Sequence, residues 1–166
     1  MKRTSGVIVI FIFAVISLTA VAQNTDQAKH MIYHEKYNSA EIALHAILQN
    51  DVNNEEAWYL LTQSYLEQHN VKAIKDSLMK APQGLLDKPL LHAALGQILI
   101  QENNIADAKQ NFDLALKQTK EKDPAILTAV AKAYIDTKDA DAGYAIELLE
   151  KAIKRDKKNP ELYVLL

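Results

Sequence analysis

Four apolar openings recur along this chain at nearly equal intervals. Trp58-Tyr59-Leu60-Leu61 is followed by His92-Ala93-Ala94-Leu95, then Leu127-Thr128-Ala129-Val130, then Tyr163-Val164-Leu165-Leu166, at spacings of 34, 35 and 36 residues. Between them runs a second pattern, small then bulky then small. It reads Ala108-xxx-Phe112-xx-Ala115 and Ala145-xxx-Leu149-xx-Ala152, with fainter copies at Ala40, Leu44 and Ile47 and at Ala73 and Ser77. A period of this length belongs to supersecondary units that cannot bury their apolar face alone and must stack on a neighbour. The repeat therefore predicts an array of similar units.

Each unit reads as helix. Apolar residues return every three or four positions, and no stretch shows sustained alternation with β-branched enrichment. The four prolines, Pro82, Pro89, Pro124 and Pro160, fall between the periodic segments. Asp123-Pro124 and Asn159-Pro160 each offer a capping side chain followed by a residue whose missing N–H costs nothing at a helix start. Asn53-Asn54-Glu55-Glu56 is a third start, with carboxylates at the positive end of the helix dipole. Asn104 before Ile105-Ala106-Asp107 is a fourth.

A bulky residue, then Leu, a small residue and Tyr, followed by Ala-xxx-Phe and a helix-ending turn near a 34-residue period, resembles the tetratricopeptide repeat (TPR). The resemblance runs over most of the chain after Gln23 and is closest from His92 to Thr119. Departures are His92 and Leu127 where Trp is favoured, Thr62 where Gly is favoured, and Pro124 four residues late. The resemblance implies an all-α fold, an α-solenoid of antiparallel helix pairs wound as a right-handed superhelix. Its units would be about 24–52, 54–86, 88–122 and 123–158, with a partial unit at 159–166. Helix axes about 8 Å apart need small side chains at the crossing. Gly96, Ala108, Ala131 and Ala145 are the expected crossings. Trp58, Leu61, Tyr65, Leu95, Phe112, Ala115, Tyr134, Leu149 and Ala152 are expected to fill the space around them. In the family, the first helix of each pair forms a concave peptide-binding face. Carried across, the groove candidates are Tyr59, Gln63, Gln97 and Lys132. Tyr59, Ala93 and Thr128 stand where the family's carboxylate-clamping Lys would be, so that ligand type is not expected.

The N-terminus carries a different message. Met1-Lys2-Arg3 is cationic, Val7–Ile16 is an unbroken apolar run, and Ala20-Val21-Ala22 is a signal-peptidase pattern, so residues 1–22 read as a signal peptide cleaved before Gln23. The 16 residues Val7–Ala22 fall short of the ~20 a spanning helix needs. The rival reading is an uncleaved anchor. Cleavage predicts an exported protein, periplasmic or secreted, with one repeat domain at 23–166. Without Lys2 and Arg3, 17 basic face 21 acidic residues, a net charge of −4. Such a chain has no electrostatic reason to bind nucleic acid, which demands phosphate neutralisation. Cysteine is absent, which removes disulfides, thiolate catalysis and thiolate metal sites.

Chemical motifs are few. His30 and His34 lie one helical turn apart, without the zincin order and without an evident third ligand, so no metal is expected. Asp139-Ala-Asp141-Ala-Gly143 with Glu150 fails as a calcium loop because Tyr144 stands where that loop needs Gly. Lys151, Lys154, Arg155, Lys157 and Lys158 gather at one helix end, with Glu147–Lys151 and Glu150–Lys154 spaced for ion pairs. There is no phosphate loop, nucleophile elbow or cofactor motif. The expectation is a non-catalytic scaffold of the cell envelope that holds a protein or peptide segment. Asn159-Pro160-Glu161 opens a helix cut at Leu166, which predicts that the sequence is the N-terminal piece of a longer chain. The alternatives are a targeting arm for an enzyme, or a membrane-tethered assembly factor, whose other domain lies beyond Leu166.

Overall fold

The computed structural model describes residues 25–137 and 141–166; the expected signal peptide at 1–22 lies outside them. The described residues form an all-α protein of ten helices. These are α1 (residues 25–33), α2 (Tyr37–Asn50), α3 (Glu55–Glu67), α4 (Val71–Leu78), α5 (Gln83–Leu86), α6 (Pro89–Gln101), α7 (Ile105–Thr119), α8 (Pro124–Ile135), α9 (Ala142–Arg155) and α10 (Pro160–Leu165).

Local chemistry explains where the helices start. The side chains of Asn54, Asn104, Asp123 and Asn159 each accept a backbone N–H of the first turn, at the four positions read as starts from sequence. Asn70 and Asp141 do the same for α4 and α9. Helix α6 departs from this rule. Its cap position is Lys88, which supplies no side-chain bond; instead Glu55 of α3 accepts the Leu90 N–H at 2.9 Å. A carboxylate 35 residues upstream thus satisfies a donor that would otherwise be orphaned, and it fastens one unit to the next.

The helices end on a recurring turn. Glu35, His69 and Asn103 all have left-handed backbone, with φ of 58°, 55° and 60°. In each turn the next residue's N–H reaches back to the fifth residue before it: Lys36 to Met31, Asn70 to Tyr65 and Asn104 to Leu99, at 2.8–2.9 Å. This is the six-to-one bond of a Schellman ending, repeated at an interval of 34 residues. The α3–α4 and α6–α7 turns are so short that each pair folds back as an αα-hairpin.

Packing follows the pairing. Helix α3 lies on α4, α6 on α7 and α8 on α9, α2 lies on α3 across the boundary between units, and α3, α6 and α8 touch in succession to form a row. The core consists of two clusters. One spans α1 to α6 around Leu44, Leu61, Ile74 and Leu91; the other spans α6 to α10 around Phe112, Leu127, Leu148 and Leu162. Tyr59 packs against both. Of the residues expected to pack the repeats, Trp58, Leu61, Gly96, Ala108, Phe112, Ala115, Ala131, Ala145, Leu149 and Ala152 are buried, while Tyr65, Leu95 and Tyr134 are partly so. Gly96 marks the tightest crossing: a Cβ there would stand 2.3 Å from Cε1 of Phe112, well inside the ~3.5–4.0 Å of a normal carbon contact. Only a hydrogen fits.

Helix α4 is shorter than α7 and α9. Counted from the capping residues Asn70, Asn104 and Asp141, Leu78 rather than Ser77 stands in the slot of Phe112 and Leu149, and Ile74 rather than Ala73 in that of Ala108 and Ala145, which corrects the register expected from the sequence by one residue. The single turn of α5 then delivers Leu85 into the core.

Candidate groove along the first helices

Residues from α1, α3, α6, α8 and α10 converge on one groove of about 610 Å³. Its lining includes Tyr33, Glu56, Tyr59, Gln63, Leu90, Thr128, Lys132 and Glu161. The positions are related by the sequence period. Glu56, Leu90, Ala125 and Glu161 occupy one phase of the repeat, Tyr59 and Thr128 a second, and Gln63 and Lys132 a third, and all of them face the groove. Equivalent positions on successive helices form columns down one face, as the i, i+3, i+4 pattern of a helix surface requires.

Three of the four groove candidates, Tyr59, Gln63 and Lys132, line the cavity. Gln97 lies beneath it, buried between two lining residues. The Gln63 side-chain amide donates to Oε1 of Gln97, and Nε2 of Gln97 donates to the Ala129 carbonyl at 3.0 Å. This relay crosses α3, α6 and α8 and leaves both buried ends of the Gln97 amide paired, as burial demands. Its role is to fix the floor. The Tyr59 phenol sits against this floor, and burial holds it above its ordinary range, with the Gln97 side chain opposing and the Glu161 charge adding to the rise.

The rim is charged. Lys29 pairs with Glu56 at 2.5 Å, and Lys132 approaches Glu161 at 3.7 Å. Exposed pairs of this kind contribute about 0–1 kcal/mol each, so they can open for a ligand at little cost. Thr128, where a clamp Lys would stand in the resembling family, donates its hydroxyl to the Pro124 carbonyl at 2.7 Å and presents no charge. Ala93 is fully buried. The groove thus offers the Tyr33 and Tyr59 rings, side-chain amides and paired charges.

Charged rim residues Lys29, Glu56, Asp156 and Glu161 were not singled out from sequence, yet the signal for two of them was present. Glu56 and Glu161 share the phase of Leu90, so marking one repeat position as groove-facing marks them all. Asp156 comes from the α9–α10 turn and has no such signal.

Elsewhere, His92 is half-buried and its Nδ1 lies 3.2 Å from Oδ1 of Asn111, a packing position. Asp139 lies outside the described residues, and Asp141 spends its carboxylate capping α9 through the Tyr144 N–H. Lys151 pairs with both Glu147 and Glu121. Among the described residues no helix is long and apolar enough to cross a membrane.

Helices packed in pairs, with one groove running along a row of them, define the protein's class: it is all-α and compatible with a helical repeat protein. No protein-family model matches the chain, and no curated protein matches it.

Proposed function

We propose that the chain is a TPR-like α-solenoid that works as a non-catalytic scaffold, exported to the periplasm or beyond. In this reading the groove along α1, α3, α6, α8 and α10 binds an extended peptide or a segment of a partner protein. The observation that carries this reading is the register. Positions one repeat apart converge on a single cavity whose floor is pinned by Gln63, Gln97 and the Ala129 carbonyl. Tyr59 is the anchor, because a partly buried aromatic that lines the groove and carries a polar tip is the kind of residue that dominates binding energy at interfaces. Gln63 and Lys132 supply hydrogen bonds on either side of it. The 34-residue recurrence of the same left-handed turn supports the TPR assignment independently of side-chain type.

Peptide display against the purified protein tests the reading. Selected segments should lose at least ten-fold in affinity when Tyr59 is replaced by Ala. They should be unaffected by Ile146→Ala, which alters an exposed apolar residue on α9 away from the groove. A photo-crosslinker at position 128 should capture the segment, and one at position 146 should not. Segments that bind Tyr59→Ala as tightly as the parent would assign binding to another face.

A further inference from the structure

His30 and His34 face each other at the outer end of α1. Their Nε2 atoms lie 3.0 Å apart, with ring centroids at 4.3 Å and planes inclined by 62°. The spacing is held by a closed helical turn, since the His34 N–H donates to the His30 carbonyl at 3.1 Å. The Tyr33 ring meets the His34 ring edge-on, with centroids 5.2 Å apart. From the i, i+4 spacing alone no metal is expected, and among the described residues no group of three or more His, Cys, Asp or Glu side chains converges on the pair, so any site here rests on the two imidazoles.

Two metal–imidazole bonds of about 2.0–2.1 Å that meet at a right angle place their nitrogens about 2.8–3.0 Å apart. At the tetrahedral angle the separation rises to about 3.3–3.4 Å. The observed separation is set by a hydrogen bond between the two rings and places both nitrogens within a few tenths of an ångström of either value. Adjacent right-angled positions belong to tetragonal Cu(II) or Ni(II), whereas structural zinc wants a tetrahedron closed by four ligands. Copper leads because affinity for a nitrogen site peaks at Cu(II) among the first-row divalent ions.

We propose that His30 and His34 form a bidentate chelate for Cu(II), with solvent completing the coordination sphere. In the free pair one ring donates its Nε2–H to the other ring's Nε2. Metal binding needs both Nε2 lone pairs, so the donating ring must carry its proton on Nδ1 instead. Lys29, the neighbouring cation, is tied to Asp26 and Glu56, which offsets its repulsion of an incoming ion. Both imidazoles are exposed, so loading requires no rearrangement of the core. His30 also lines the groove, but the chelate needs only the two imidazoles and does not depend on whether the groove binds a peptide.

The test is a copper titration of the untagged protein, followed by calorimetry and by electron paramagnetic resonance. One Cu(II) per chain should bind, with hyperfine coupling to two imidazole nitrogens. His30→Gln and His34→Gln should each weaken binding at least ten-fold and leave one coupled nitrogen. His45→Gln and His69→Gln should leave binding unchanged. Copper should also slow amide exchange within residues 25–33, because the chelate staples a turn, and this protection should vanish in either variant. Binding by His30→Gln or His34→Gln within two-fold of the parent overturns the proposal. So does a two-nitrogen signal that survives either substitution, or the absence of binding up to millimolar copper.

Discussion

Replacing Gly96 by Ala sets two opposed effects of known sign against each other. In an ordinary helix interior, Ala is favoured over Gly by about 1 kcal/mol. Here the added methyl would stand 2.3, 2.6 and 2.8 Å from Cε1, Cδ1 and Cζ of Phe112. Phe112 is 2% exposed and cannot swing aside, so α6 and α7 must separate. Overpacking of this kind costs about 1–3 kcal/mol, and the net expectation for Gly96→Ala is a loss of about 0–2 kcal/mol. Gly96→Leu, with a larger intrusion, should lose about 1–3 kcal/mol. For a chain this size each kcal/mol lowers the melting temperature by about 2–4 °C. A double-mutant cycle separates the two effects. Phe112→Leu removes the ring atoms nearest the intruding methyl, so it should cost about 1 kcal/mol less in the Gly96→Ala background than alone, a coupling above the ~0.5 kcal/mol of independent sites. Urea unfolding followed by circular dichroism gives the energies, and fluorescence of Trp58, the chain's one tryptophan, reports the neighbouring helix α3. If Gly96→Ala stabilises the protein by about 1 kcal/mol and the cycle shows no coupling, the close α6–α7 crossing is refuted.

Three further outcomes follow from the same geometry. Gln97→Leu strips partners from the Gln63 amide and the Ala129 carbonyl, so it should cost about 1–3 kcal/mol in urea unfolding; a neutral result would mean water replaces the relay. Tyr59 keeps its proton in the fold because burial raises its pKa from an ordinary value of 10.0. The unfolded chain releases that proton first, so stability should fall as pH rises above about 10, and Tyr59→Phe should flatten the decline measured by thermal melts across that range. His69→Gly should stabilise by up to about 1 kcal/mol, since left-handed backbone costs a non-glycine residue about 1–2 kcal/mol and glycine forfeits part of that gain in the unfolded chain; a lower melting temperature would show that His69 compensates in another way.

What the sequence announced, and what it hid, divides along local against non-local causes. Asn54, Asn104, Asp123 and Asn159 cap the helices they precede because a cap depends only on the next three residues. Gly96 and Phe112 were legible as a close crossing because their residue types recur in register. The turns at Glu35, His69 and Asn103 were not legible as left-handed. Helix ends of this geometry usually use glycine, and here Glu, His and Asn adopt it under the constraint of the packed hairpin. The bond from Glu55 to Leu90 and the short helix α5 were equally hidden. One joins residues 35 apart, and the other is a single turn, Gln83–Leu86, between α4 and α6, with no counterpart among the described residues of the later units. In the groove, Tyr59, Gln63 and Lys132 were reached by carrying the resembling family's concave face onto this sequence, whereas Asp156 comes from a turn, which that face does not include.

Gly96 and Gln97 are neighbours on α6, about 100° apart around its axis, and the two faces they occupy carry different duties. Gly96 sets how closely α7 approaches from behind. Gln97 faces the opposite helices, binding Gln63 of α3 and the Ala129 carbonyl of α8. A helix held on one side by van der Waals contact and on the other by hydrogen bonds has little freedom to shift, because either set is lost within a few tenths of an ångström. The floor beneath Tyr59 is therefore built into the packing of the repeat, while the rim of Lys29, Glu56, Lys132 and Glu161 rests on exposed side chains that nothing in the core restrains. Substitution can alter the rim without disturbing the stack. A change to the floor cannot be made so freely, since it acts on α3, α6 and α8 together.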